Sequence, residues 1–279
     1  MSTESAHLFD CGANQLVGIH HHSNKNVKVT RQALIIVVGG PQTRIGSHRF
    51  FVDLARHLAK QGIDVFRFDY TGAGDSSGQP ADFCDVQQDI KAAVGFFKTQ
   101  LPSQCQLSLW GLCDAASAIS MYLLQDKQKI ISQVFLLNPW VHQTASAAKV
   151  KITSYYWQRI CSIAFWKKLL QGRVKLTESV SDLKEISKDL QTKTNATTNY
   201  LELMYQGLKK SNLPITVILS EQDLVAQEFL LLIKSNLQWQ KLIASTNVSL
   251  TTVNQANHTF AKKQWKDEVI ALTANQLIC

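Results

Sequence analysis

Short apolar runs alternate with amphipathic stretches along most of the chain. Ala33 to Val38 is a continuous apolar run closed by Gly39-Gly40-Pro41, the pattern of a strand buried on both faces. Gly46-Ser47-His48 leads into a stretch with Phe50, Phe51, Leu54, Ala55 and Leu58 on one helical face, and Gly62 ends it. Val65 to Asp69 reads as the next strand, Val86 to Phe97 as a helix, and Leu107 to Trp110 as a strand. An Ala/Ser-rich helical stretch then carries Ala115, Ala116, Ala118, Ile119 and Met121, and Val134 to Leu137 is a strand stopped by Asn138-Pro139. Nearer the start, Leu16 to Ile19 and Val27 to Thr30 read as short strands flanking a polar turn. This alternation predicts a mostly parallel sheet with helices on both faces.

Val141 to Leu208 breaks the rhythm: it is helical in character and no strand run interrupts it. Strands resume at Ile215 to Leu219 and at Val248 to Val253, and a last helix carries Trp265, Val269 and Leu272. The expected organisation is therefore a core from residues 1–140, an inserted helical cap over 141–210, and the rest of the core from 211–279.

Composition narrows the class. With 45% hydrophobic and 18% charged residues in 279, the chain is globular rather than disordered. Its net charge of +8 comes from scattered basic residues, a weak pull toward anionic surfaces and no nucleic-acid footprint. Six cysteines show no paired spacing, which argues against a zinc site or a disulfide framework and for free thiols in a reducing cytosol. No basic segment followed by an apolar core opens the chain, and no apolar run approaches a membrane span. The triplet His20-His21-His22 has ligand chemistry, but no carboxylate or Cys follows at ligand spacing. It reads as a strand-edge polar run, and no metal or cofactor is expected.

The chemistry concentrates at Gly111-Leu112-Cys113-Asp114-Ala115, between a strand and a helix. A sharp strand-turn-helix with a nucleophile at its apex needs small residues two before and two after that nucleophile. Gly111 and Ala115 meet the demand, and the G-x-S-x-G pattern becomes G-x-C-x-A, with a thiolate as nucleophile. A thiolate needs an imidazole, and the imidazole needs a carboxylate to hold its tautomer. After the strand at 215–219 comes Ser220-Glu221-Gln222-Asp223, and after the strand at 248–253 comes Asn254-Gln255-Ala256-Asn257-His258. Cys113, Asp223 and His258 are the expected triad. Asp223 is preferred to Glu221, and His142 is set aside because it precedes the acid.

Oxyanion donors are expected from the backbone N–H of Asp114 and from the loop after Val38. Pro41 has no N–H, so Gly40 or Gln42 must serve, with Gln42 favoured. Gly72-Ala73-Gly74-Asp75-Ser76-Ser77-Gly78 superficially resembles a dinucleotide loop. Its third glycine is one place late and Gln79-Pro80 delays the helix, so it reads as a tight strand-to-helix loop. Arg44, His48 and Arg49 either contact an anionic substrate or cap the first helix.

On these residues the chain resembles the α/β-hydrolase superfamily over nearly its full length, and Asp69 to Ser76 is similar to that superfamily's D-x-x-G-x-G-x-S turn. The stretch Val37 to Arg49, the elbow Leu109 to Ala115, and Asn138-Pro139-Trp140-Val141 look like motifs of the type 1 exosortase A system-associated hydrolases. That resemblance implies a cytoplasmic α/β hydrolase with a Cys nucleophile, in the setting of exopolysaccharide and protein sorting. The expected activity is cofactor-free cleavage of an ester or thioester on a small-molecule, lipid-linked or saccharide-linked acyl substrate. Cap aromatics such as Trp140 and Trp157 would line the acyl pocket beside Arg44 and His48. The rivals are acyl transfer to a sugar hydroxyl, a peptidase, and a non-catalytic binding protein. Nucleic acid is not an expected partner, and peripheral membrane contact is compatible with the charge.

Overall fold

A computed structural model describes residues 3–24, 31–40, 42–142 and 194–278. Its elements run β1 (Glu4–Cys11), β2 (Asn14–His21), β3 (Gln32–Val37), α1 (Phe50–Lys60), β4 (Asp64–Phe68), α2 (Gln87–Thr99), β5 (Gln106–Leu112), α3 (Asp114–Tyr122) and β6 (Ile131–Leu137). They continue with α4 (Thr194–Ser211), β7 (Ile215–Ser220), α5 (Leu224–Ser235), α6 (Leu237–Ile243), β8 (Val248–Val253) and α7 (Lys263–Ile278). The strands form one eight-stranded sheet in the order β1-β2-β4-β3-β5-β6-β7-β8. β1–β2 and β2–β4 pair antiparallel, and every later pair is parallel.

The apolar run at β3 lies near the middle of the sheet, with Ala33 to Val38 wholly buried. Trp110 of β5 shows how the two faces are covered. Its ring packs edge-on against Phe50 and Phe51, and its Nε1–H donates to Thr273 Oγ1 of α7 at 3.3 Å. α1 and α7 therefore cover that face. The opposite face meets α2, where Phe97 stacks on Phe66, and α3, where Ile119 approaches Gly111. Gly62, at φ 89°, ends α1 in the left-handed conformation that Gly tolerates.

The expected strand at 16–19 falls within the first hairpin, Glu4–Cys11 with Asn14–His21, and the expected strand at 27–30 lies outside the described residues. Most of the expected cap, residues 143–193, also lies outside them. The helix at the end of the expected cap, α4, buries Tyr200, Leu201, Met204, Tyr205 and Leu208 and packs on α3. The two helices approach so closely that a Cβ on Gly207 would overlap the carbonyl of Ser120. No helix among the described residues is long and apolar enough to cross a membrane.

Candidate active site

Parallel strands place the loops at their C-terminal ends on one edge of the sheet, and four such loops converge on Cys113. This residue caps α3 at φ 64°, ψ −125°, a region that non-Gly residues occupy only under constraint. The constraint is visible on both sides. The Cys113 N–H donates to Leu137 O at 2.8 Å, extending the β5–β6 ladder, and its carbonyl accepts from Ala116 and Trp140. A Cβ on Gly111 would stand 2.7 Å from Ile119 Cδ1 and 2.9 Å from the Ala115 carbonyl carbon, so the turn closes only with a glycine there.

His258 and Asp223 arrive from the loops after β8 and β7. Nδ1 of His258 lies 2.8 Å from Asp223 Oδ2, and the Cys113 side chain neighbours its ring. Asp223 is buried and caps α5 by accepting the N–H groups of Val225 and Ala226 at 3.3 Å each, which fixes its direction. Glu221, the alternative acid, instead accepts the Gln255 N–H at 2.7 Å. Burial works against a charged imidazole at His258. The hydrogen bonds and negative charge of Asp223 and Cys113 outweigh it and lift its pKa to about 10. The arrangement therefore keeps the His258 imidazole charged at neutral pH beside the Cys113 side chain.

The expected oxyanion donors are engaged inside the protein. Gly40 N–H donates to Asp114 Oδ2 at 2.7 Å, and Gln42 N–H closes a turn onto Gly39 O at 3.2 Å. Burial raises the pKa of the Asp114 carboxyl, against the opposing pull of the N–H groups of Gly40, Ala115 and Asp114 around it. Gln42, the donor favoured from the sequence, is thus turned back onto its own loop. The nest of N–H groups at the start of α3 is filled by the protein's own carboxylate, and Gly40 and Asp114, not Gln42, point their donors into it. Gly39 permits this, because a Cβ there would collide with Asp114 Oδ1.

Arg44 and His48, expected either at an anionic substrate or at the start of the first helix, have partners within the protein. The Arg44 guanidinium is paired with Asp69, which is fully buried, and with Asp75 at 2.5 Å. It braces the turn after β4. His48 lies at φ 53°, and its carbonyl accepts from Lys266 Nζ at 3.3 Å. Within the glycine-rich turn, Asp69 also accepts the Arg44 and Asp75 N–H groups. Asp89 at the start of α2 takes the Thr71 N–H and hydroxyl at 2.7 and 2.9 Å. These bonds fill the turn from within, as a structural loop requires.

Trp140 follows β6 beside the nucleophile. Its N–H donates to the Cys113 carbonyl at 3.2 Å and its ring stacks on His142 at 5.2 Å. Trp157 lies outside the described residues. Sequence reasoning passed over Asn138 except as a strand stop. Its side chain is fully buried: Nδ2 donates to Ser220 Oγ at 2.9 Å and to His258 O at 3.0 Å, and Oδ1 accepts the Ser220 N–H at 2.8 Å. One amide thus ties together the loops after β6, β7 and β8. An Asn immediately after a buried strand was the available signal, since Asn tolerates the left-handed φ of 42° found here.

The sheet order, the elbow after β5 and a carboxylate–imidazole pair after β7 and β8 define an α/β hydrolase. More specifically, the chain belongs to the family described as serine aminopeptidase S33, whose model matches residues 30–262. No curated protein matches it. An esterase of Pyrococcus furiosus is similar in structure, with a TM-score of 0.66, 14% identity, and 99% of this chain and 90% of that one covered. An α/β hydrolase from Penicillium gives 0.62 at 16% identity, covering 99% and 96%. A Xanthomonas campestris α/β serine hydrolase without lid gives 0.59 at 15%, covering 100% and 94%. Where the family's name specifies serine, the elbow of this chain carries Cys113.

Proposed function

We propose that this hydrolase cleaves an ester or thioester through a covalent intermediate on Cys113. The observation that carries the proposal is the left-handed, buttressed conformation of Cys113 with His258, itself held by Asp223, against its sulfur. The Cys113 sulfur attacks the carbonyl carbon as thiolate, forming a C–S bond and an oxyanion. The Asp114 and Gly40 N–H groups receive that oxyanion once the Asp114 carboxylate swings out of the nest. The carbonyl re-forms and the bond to the leaving group breaks. The imidazolium of His258 supplies the leaving group's proton from the ring nitrogen opposite Asp223. The now neutral His258 takes a proton from water, hydroxide attacks the thioester, and Cys113 departs as thiolate. Asp223 holds the imidazole orientation throughout.

The motif resemblance supports a substrate from exopolysaccharide or sorting chemistry and a cytoplasmic site of action. The test is a panel of p-nitrophenyl esters, acyl thioesters and aminoacyl anilides, run with the wild type and Cys113→Ala. The proposal predicts turnover of esters or thioesters that the variant abolishes. Preferential cleavage of the anilides replaces it with a peptidase. Unchanged turnover in Cys113→Ala removes the sulfur from the mechanism.

A further inference from the structure

The histidine triplet lies at the opposite end of the sheet from Cys113. Active-site loops follow the C-terminal ends of the parallel strands. β2 runs antiparallel to β4, so the end of β2 meets the beginning of β4. Strand alternation then divides the triplet. His21 faces one side, where it accepts a hydrogen bond from Arg67 Nε at 2.9 Å and lies 3.5 Å from Glu4. His20 and His22 face the other side, and there Asp64, the first residue of β4, brings the carboxylate that local sequence spacing lacks.

We propose that His20, His22 and Asp64 form a binding site for a divalent transition metal of the zinc class, clamping the first hairpin to the rest of the sheet. One potential ligand atom from each residue lies within 4.8 Å of the others. His20 Nε2 is already 2.7 Å from Asp64 Oδ1, and the two imidazole centroids are 3.9 Å apart. A fourth donor is at hand: Ser5 Oγ bonds both His22 Nε2 at 2.8 Å and His7 Nε2 at 2.7 Å, placing His7 on the same face. Metal–ligand bonds of about 2.0–2.2 Å put tetrahedral donors roughly 3.3–3.6 Å apart, so the cluster must contract by little more than an ångström on binding.

A second observation points the same way. His20 is 3% exposed, yet its Nδ1 is buried with no hydrogen-bond partner among the described residues. An interior histidine kept only as a hydrogen-bond donor to Asp64 leaves that ring nitrogen uncompensated by any local contact. Imidazole nitrogens with one carboxylate oxygen suit zinc, nickel or copper rather than calcium or magnesium.

Cobalt(II) is the probe, because its visible spectrum reports donor type and zinc is silent. The full chain should bind one equivalent, giving ligand-field bands of a nitrogen–oxygen site without thiolate charge-transfer absorption. His22→Ala and Asp64→Asn should each weaken binding at least 100-fold, while Cys113→Ala leaves it unchanged. Ester or thioester turnover should be the same in wild type, His22→Ala and Asp64→Asn. Circular dichroism on each variant identifies a folding failure, and Asp64→Asn keeps an acceptor for His20 so that it folds. Zinc should raise the Tm of the wild type and not of His22→Ala. No binding tighter than about 10 µM in the wild type, a thiolate band, or equal binding by the folded variants overturns the site.

Discussion

Replacing Asn138 by Ala removes one amide and disconnects three loops. Two buried backbone groups lose their partner, the Ser220 N–H and the His258 carbonyl. At about 1–3 kcal/mol for each buried group left unmade, the loss is about 2–6 kcal/mol. The left-handed backbone at φ 42° adds about 1 kcal/mol, because Asn tolerates that region better than Ala. A total of about 3–7 kcal/mol is a large share of the stability of a typical domain. Urea unfolding reads it as a lower midpoint at an unchanged slope. Asn138→Gly separates the contributions: it removes the backbone strain but not the lost hydrogen bonds, so it should stay within about 1 kcal/mol of Ala. A cost under about 1 kcal/mol for Ala, or wild-type stability for Gly, refutes the account of this residue as the tie between the loops.

Cys113→Ser should lower kcat/KM about 100- to 10,000-fold, because a serine hydroxyl needs a general base and an imidazolium cannot serve as one; near-wild-type turnover by the serine variant contradicts the charged pair. The raised pKa of His258 makes a statement about stability. Its folded value of about 10 exceeds the ordinary 6.5, so its contribution is complete below pH 6.5 and is lost as pH rises toward 10. The stability difference between wild type and His258→Gln, measured by urea unfolding, should therefore shrink from pH 6 to pH 10, and a difference that grows reverses the sign. Arg44→Ala should cost about 3 kcal/mol by stranding the buried Asp69 carboxylate, seen as a fall in urea midpoint, with KM unchanged; a raised KM at unchanged stability restores Arg44 as a substrate contact.

The parts of this protein that announce themselves in sequence are those set by local pattern. A strand buried on both faces, such as β3, has nowhere to place polar residues. The elbow requires small residues at fixed offsets, so Gly111, Cys113 and Ala115 were readable together. Asp223 and His258 were readable because each closes a recognisable strand. β1 was not, because half of it faces solvent and its sequence, ESAHLFDC, mixes polar and apolar residues. Contacts between distant segments were equally hidden. Nothing near Arg44 reveals that Asp69 and Asp75 will capture it, and nothing near His20 reveals Asp64. The filling of the N–H nest by Asp114 depends on two loops meeting at Gly39, which only the folded chain specifies.

The most direct test of the catalytic claim is the rate at which iodoacetamide labels each cysteine at pH 6.5, located by peptide mapping. The other described cysteines are internal controls, because burial pushes Cys11 and Cys105 up to about 11 and Cys84 to about 12, which leaves them as thiols. Paired with the His258 imidazolium, Cys113 should label at least about tenfold faster than all three, and His258→Ala should abolish the advantage. Labelling of Cys113 no faster than these three thiols, or a rate untouched by His258→Ala, contradicts the nucleophile assigned here.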